Sequence, residues 1–283
     1  MSSMEEIDAT VKKIKDLHIQ GAQDIARKSL KVLRRFAREN GFGSDFEEAV
    51  NKLEHSRPTG VSAHNCLEHL KNNRSVKTID ELLRYMNKSD EWIGDIGSDL
   101  IDDNTEIMTH CHSETAMGIF KKAKENGKNF KVFVTETRPK YQGILTAKEL
   151  AKYDIPIYYI IDSAAGIFMY SCEMVLIGGD AVKSDGIINK IGTYMIALAA
   201  NEADVPVYVA ASKDKFDYEN VSVIEERPAK EIISPAEIRG GRIDNPAFDI
   251  TPWHLIDGVI TESGILEEDE VIEELTNEFD IED

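Results

Sequence analysis

The chain is poor in cysteine, short of positive charge and free of long apolar runs. Its three cysteines, Cys66, Cys111 and Cys172, form neither a Cys-x-x-Cys pair nor a disulfide framework, so reduced thiols are expected and no metal site is indicated. Lysine and arginine total 33 against 52 aspartates and glutamates, a formal net charge of -19. That balance argues against general affinity for nucleic acid, whose binding rests on neutralising phosphates. A local basic pocket for a small phosphorylated ligand is compatible with it, because global charge does not forbid a local cluster. Nothing approaches the roughly 18 consecutive apolar residues of a membrane span. Met1 to Lys15 is polar and acidic where a secretory leader needs an apolar centre, so a cytoplasmic protein is expected. Neither G-x-G-x-x-G after the first strand nor G-x-x-x-x-G-K-[ST] occurs, which leaves a dinucleotide fingerprint and a P-loop unsupported, and no cofactor is called for.

What is present divides by texture near residue 104. In residues 1–104 Ile7, Val11, Ile14 and Leu17 recur at helical spacing, as do Ile25, Leu30, Leu33 and Phe36. Asn40 to Ser44 ends that run, with Ser44 able to cap the next helix, and Pro58 and Gly60 interrupt the pattern before helices over Cys66–Lys71 and Ile79–Asp102. From Thr105 short apolar runs alternate with helical stretches, the pattern of βαβ units. Strands are expected at 106–109, 131–135, 156–161, 174–177, 206–210 and 256–260, and helices at 114–126, 146–153, 164–171 and 187–203. The fold class is therefore α/β: a helical N-terminal domain (1–104) followed by a Rossmann-like domain with a mainly parallel sheet (105–283). The acidic end, Glu267 to Asp283, reads as a solvated amphipathic helix, a docking tail being the alternative.

In an open parallel sheet, ligands bind at the carboxyl ends of the strands. The residues just past the expected strands are Cys111 and Ser113, Glu136 to Arg138, Asp162 and Ser163, Asp180, Ser212 to Lys215, and Thr261-Glu262. If Ser113 caps the helix that follows, Cys111 sits beside a helix N-terminus and two histidines, which favours the thiolate; a small thiol packing at a strand end is the plainer alternative. Asp180 follows a dry run ending in Gly178-Gly179, where a carboxyl can serve as a general acid, although a helix cap would also explain it. Asn189-Lys190, at the start of the expected helix, and Lys215 suit a phosphate cradle. Arg57, the strong cation of the break in the helical third, can reach a phosphate across the boundary or simply face solvent.

Six segments taken in order carry a resemblance. THCHS (Thr109 to Ser113), VTETRPKYQG (Val134 to Gly143), IDSA (Ile161 to Ala164), GGD (Gly178 to Asp180), INKIGT (Ile188 to Thr193) and NPAFDITP (Asn245 to Pro252) are similar to the family of the alpha, beta and delta subunits of eukaryotic initiation factor 2B. That family also holds methylthioribose-1-phosphate isomerases and archaeal ribose-1,5-bisphosphate isomerases, and the resemblance spans nearly the whole chain. Its isomerases use a Cys and an Asp, which fall on Cys111 and Asp180. His112 stands where methylthioribose-1-phosphate isomerases tend to have Asn, so the archaeal ribose-1,5-bisphosphate isomerases are the nearer group.

The resemblance implies isomerisation of α-ribose 1,5-bisphosphate to ribulose 1,5-bisphosphate in AMP and nucleoside salvage, with Asp180 as general acid and Cys111, as thiolate, the general base. It places Gly21, Ala22, Arg57, Ser113, Asn189, Lys190 and Lys215 at substrate-contacting positions. It further implies a homo-oligomer, dimer or hexamer, covering apolar surface around Phe248 and Trp253, and AMP as an activating ligand. Two residues depart from the pattern: Gln20 where Arg is usual before Gly-Ala, and Glu114 where Lys often follows the Ser. The alternatives are a non-catalytic regulatory subunit engaging the alpha subunit of initiation factor 2 or a nucleotide, and an isomerase of another phosphorylated pentose such as methylthioribose 1-phosphate.

Overall fold

A computed structural model describes residues 2–16, 18–19, 21–57, 60–238 and 240–281; Leu17, Gln20, Pro58 and the last two residues of the acidic tail lie outside them. Five helices come first: α1 (Ser3–Lys15), α2 (Ala22–Asn40), α3 (Ser44–Glu54), α4 (Val61–Asn72) and α5 (Val76–Asp99). Ser2 and Glu5 close a capping box on α1, and Gly41, at φ +75°, takes a positive-φ conformation open to glycine and ends α2. Ser44 is the first residue of α3 but makes no side-chain cap; Gly43 precedes it. The apolar stripes of these helices face one another, with Ile7, Leu30, Leu33, Phe46, Leu67 and Leu82 buried together. The last half of α5 leaves this cluster, and its Ile93 packs under the sheet.

The sheet elements follow as β1 (Thr105–Thr109), α6 (Glu114–Glu125), β2 (Phe130–Thr135), α7 (Gly143–Ala151), β3 (Ile157–Ile160), α8 (Ala165–Met169), β4 (Met174–Gly178), β5 (Ala181–Lys183), β6 (Gly186–Lys190), α9 (Thr193–Glu202), β7 (Val207–Ala210), β8 (Phe248–Thr251), β9 (Gly258–Thr261), β10 (Gly264–Leu266) and α10 (Glu268–Glu274). Seven strands form one sheet in the order β10-β9-β7-β4-β1-β2-β3, parallel except for β10. Its central strands are apolar on both faces, as a sheet covered on both sides requires. Alternate residues divide between two cores: Ile107, Val132 and Leu176 face one way, Met108, Phe133 and Ile177 the other. The α/β class, with helices ahead of a mainly parallel sheet, is thus the observed one.

Three expectations fail here. Residues 187–190 are strand β6 rather than the start of a helix, because β6 pairs antiparallel with β5 and β8 in a second, three-stranded sheet. Gly192, at φ +105°, marks where α9 can begin. The acidic end is not one solvated helix: α10 stops at Glu274, and Phe279 and Ile281 pack back onto the first helical cluster, Phe279 against the rings of Tyr85 and His69. Phe248 and Trp253 are themselves buried and offer no surface to a partner, although Ile250 between them is 37% exposed. Exposed apolar side chains gather instead on β3, α8 and α9, where Ile167, Tyr170 and Met195 are 75%, 73% and 68% exposed.

Candidate active site

Chain order fixes where a crevice opens. From β1 the chain runs outward to β2 and β3, then returns to place β4 on the other side of β1, so the direction of winding reverses between β1 and β4. Ligands of open α/β sheets bind at that reversal, beyond the carboxyl ends of the two strands. Cys111 lies two residues past β1 and Asp180 two past β4. A cavity of about 310 Å³ lies there, and Gly21, Ala22, Arg57, Cys111, Ser113, Asp180, Asn189, Lys190 and Lys215 all line it. Asp162 does not; its carboxylate accepts from the Thr137 and Arg138 amides at 2.7 and 2.8 Å and holds that loop in place. Glu262 accepts the Lys213 amide and a hydrogen bond from the Tyr85 hydroxyl, which braces the 212–215 turn.

Cys111 is held in a strained turn. Its φ is +68°, and Thr137, a β-branched residue, is also left-handed at +60°. Such backbone costs on the order of 1–3 kcal/mol per residue and persists only where neighbours over-determine it. Here the Cys111 amide donates to Thr137 Oγ1 at 2.9 Å, and Thr146 Oγ1 donates to the Cys111 carbonyl at 2.7 Å. His110, buried, lies between Thr135 Oγ1 (2.6 Å from Nδ1) and the Ile191 carbonyl (3.0 Å from Nε2). The carbonyl can only accept, so Nε2 carries the proton and Nδ1 accepts from Thr135. Ser113 caps α6 through Ala116 N at 3.3 Å and leaves no room at Gly178, where a Cβ would collide with its hydroxyl.

The thiolate expected at Cys111 is not the resting form. Burial pushes its pKa up to about 11, and the Asp180 carboxylate adds to the rise while Lys190 opposes it. His110 supplies no positive charge that would reverse this, because burial lowers its pKa. His112 is turned to other partners, its Nδ1 3.1 Å from Thr146 Oγ1 and its Nε2 3.6 Å from Glu149. Proximity to a helix terminus therefore loses to desolvation.

Across the cavity, Gly179 packs closely on Val209 and Ala211, and the Asp180 amide donates to the Ile188 carbonyl at 2.9 Å, fixing the strand exit. The Asp180 side chain is half-buried, and among the described residues its carboxylate accepts no hydrogen bond. Asn189 and Lys190 reach the cavity from β6; Asn189 Nδ2 donates to Thr193 Oγ1 at 2.9 Å. Lys190 Nζ lies 4.7 Å from the centre of the Phe248 ring, with Arg57 Cζ 5.8 Å from the same ring. Arg57 does cross to the second part of the chain, its Nη2 3.3 Å from Glu225. Lys215 is buried at 4% exposure and donates only a long hydrogen bond, 3.4 Å, to Thr115 Oγ1. Among the described residues no carboxylate oxygen comes within 4 Å of the Lys190 or Lys215 ammonium. Glu114 also lines the cavity.

Residues outside the sequence reading complete the walls. Gln23, buried, donates to Asp90 at 3.1 Å and Ser212 at 3.0 Å and accepts from Thr115, tying α2 and α5 to the Lys215 turn. Phe248, expected at an assembly surface, lines the cavity instead. Arg227, Glu231 and Lys140 come from irregular segments.

Comparison with known proteins agrees with this architecture. The model of the initiation factor 2 subunit family matches residues 18–268. The chain belongs to that family. Its relatives include proteins named ribose 1,5-bisphosphate isomerase from Methanocaldococcus jannaschii, 40% identical over 94% of this chain and 93% of the relative, and from Archaeoglobus fulgidus, 38% identical over 93% and 90%. Within the family, a crystal structure of Pyrococcus horikoshii translation initiation factor eIF-2B superposes with a TM-score of 0.82 at 33% identity, covering 93% of this chain and 97% of that one. No helix among the described residues is long and apolar enough to cross a membrane.

Proposed function

We propose that the chain is an aldose-ketose isomerase that converts α-ribose 1,5-bisphosphate to ribulose 1,5-bisphosphate. The observation that carries this reading is the pairing of Cys111 and Asp180 in one cavity with two lysines, Lys190 and Lys215, that have no carboxylate partner among the described residues. Lys215 is buried and Lys190 half-buried, an ammonium without a counter-ion is costly there, and a ligand carrying two phosphates supplies one for each. The relatives named for this reaction support the same substrate.

The chemistry needs an acid and a base. Phosphorylation of the anomeric oxygen prevents spontaneous ring opening, so Asp180, carrying a proton, gives it to the ring oxygen. Cys111 as thiolate takes the C2 proton, and an enediol phosphate forms. Loss of the C2 hydroxyl proton to Asp180 and return of the thiol proton to C1 complete the ketose and restore both groups. The reaction needs Cys111 deprotonated, and Lys190, which opposes the rise of its pKa, favours that form. Ser113, Asn189, Gly21, Ala22 and Arg57 complete the substrate contacts. Purified protein with ribose 1,5-bisphosphate and coupled detection of ribulose 1,5-bisphosphate tests this; equal absence of turnover in wild type and Cys111→Ser defeats it.

An isomerase working on methylthioribose 1-phosphate would leave one of the two lysines without a phosphate, so the cation pair favours the bisphosphate. The likeness to an eIF-2B protein favours a regulatory part, decided by capture of the initiation factor 2 alpha subunit independently of Cys111. The exposed apolar face of β3, α8 and α9 supports self-association, measured by light scattering. Placement in AMP salvage predicts stimulation of turnover by added AMP.

A further inference from the structure

Among the described residues, the segment between Val221 and Asp244 contains only single helical turns, at Ala229–Glu231 and Pro235–Glu237. It is pinned where an isolated antiparallel bridge joins Glu226 to Pro246, with the Arg227 amide donating to Asn245 and the Ala247 amide to Glu225, both at 2.8 Å. This rung stands next to Phe248 and places Arg227 in the cavity wall. Its guanidinium forks between two carboxylates, Nη1 2.7 Å from Glu225 Oε1 and Nη2 2.7 Å from Glu231 Oε1.

Those carboxylates occupy more than one cation. Glu231 Oε1 lies 3.9 Å from Lys140 Nζ, and Glu225 Oε2 lies 3.3 Å from Arg57 Nη2. Glu225 Oε2 is nevertheless buried without a hydrogen bond of good geometry. Arg57, Lys140 and Arg227 all line the cavity, and Glu231 lines it with them. A guanidinium fork fits a phosphate as well as it fits a carboxylate. Burial alone would raise the Glu231 pKa, but hydrogen bonds from Arg227 outweigh it and hold the carboxyl below its ordinary range, so it is an anion at neutral pH. A second anion could not enter beside it without repulsion, and because Arg227 Nε also lies 3.5 Å from Glu231 Oε2, the incoming phosphate must replace a two-point contact to release it.

We propose that Arg227 is a further phosphate-binding residue of this site and that Glu231 is a placeholder anion, which yields Arg227 and Lys140 to the phosphate of the incoming ligand. The inference rests on reading the cavity as a sugar-bisphosphate site. It gives the irregular segment a part in selection: a ligand must carry enough negative charge to displace Glu231.

The test uses the full chain as wild type, Glu231→Gln, Arg227→Lys and Arg227→Ala. Two quantities are measured, the calorimetric Kd for inorganic phosphate and the KM for ribose 1,5-bisphosphate. The Gln variant should bind phosphate about fivefold more tightly, the equivalent of one part-exposed ion pair, with KM falling in parallel. The Ala variant should lose about tenfold or more in both, with the Lys variant between. A Gln variant with weaker or unchanged phosphate affinity makes Glu231 a brace and overturns the proposal, as does an Ala variant that binds phosphate like wild type. Phosphate binding is read without turnover, so the two readings fail separately. Absence of turnover with the variant pattern intact defeats only the isomerase; normal turnover with no gain in Glu231→Gln defeats only the placeholder.

Discussion

The two strand exits that flank the winding reversal are built in opposite ways. Past β1, Cys111 sits in a left-handed turn clamped by Thr137 and Thr146, with His110 locked at both ring nitrogens. Past β4, two glycines deliver Asp180 to the same cavity; its backbone amide is engaged, and among the described residues its carboxylate accepts no hydrogen bond. The difference follows from what each group must do. A base attacking one carbon-bound proton gains from a fixed position, since misplacement by even 1 Å is costly. An acid that gives up a proton and recovers one cannot have both oxygens committed to N–H donors.

The largest expected effects test the pair itself. Cys111→Ser should lower kcat by roughly 10²- to 10⁴-fold, the usual yield of a general base, while ribulose 1,5-bisphosphate still binds; steady-state kinetics and calorimetry separate the two. Asp180→Asn should cost a similar factor and also bring the Cys111 pKa down from about 11, because one cause of its elevation is gone. Iodoacetamide alkylation followed against pH reads this directly. The thiol is unreactive below its pKa and becomes reactive as pH rises through it, so the Asn variant should react at lower pH than wild type. An unmoved profile would remove the electrostatic link between the two exits.

Stability sharpens the same contrast at smaller size. Thr137→Val leaves the Cys111 amide without its acceptor and should cost about 1–3 kcal/mol in urea unfolding. Asp180→Asn breaks no hydrogen bond of the carboxylate and should stay within about 0.5 kcal/mol of wild type. If both variants lose stability alike, the acid's side is as constrained as the base's.

Much of this arrangement is legible in the sequence because it follows from periodicity. The six parallel strands announce themselves as short apolar runs, and their polar exits mark Cys111, Asp180 and Lys215. The second sheet is not legible: β5 and β6 have three and five residues, and an apolar Ile187-Ile188 reads equally well as the first turn of α9. The protonation of Cys111 is not legible either, because the burial that pushes its pKa up to about 11 does not show in its sequence neighbours. Arg227 and Glu231 sit in a segment without periodicity, placed by a single bridge to Pro246, and no local pattern marks such a contact. Gln23 reaches the Lys215 turn through hydrogen bonds spanning most of the chain, which spacing cannot reveal.

The mildest test concerns how the cations are held before a ligand arrives. Lys190 and Arg57 both approach Phe248, at 4.7 and 5.8 Å from its ring centre, and the ring is buried in a small cluster with Val61, Ala181 and Ile188. A ring face attracts a cation electrostatically, by about 0.5–1 kcal/mol when part-exposed, so Phe248→Leu should raise KM by about two- to fivefold and leave the acid-base steps in place. Phe248→Tyr keeps the ring face and should keep the wild-type KM. Equal losses in the Leu and Tyr variants would show that Phe248 acts by its shape within the cluster. A loss confined to Leu places the ring with Lys190 and Arg57 as part of the phosphate cradle, opposite the clamped thiol.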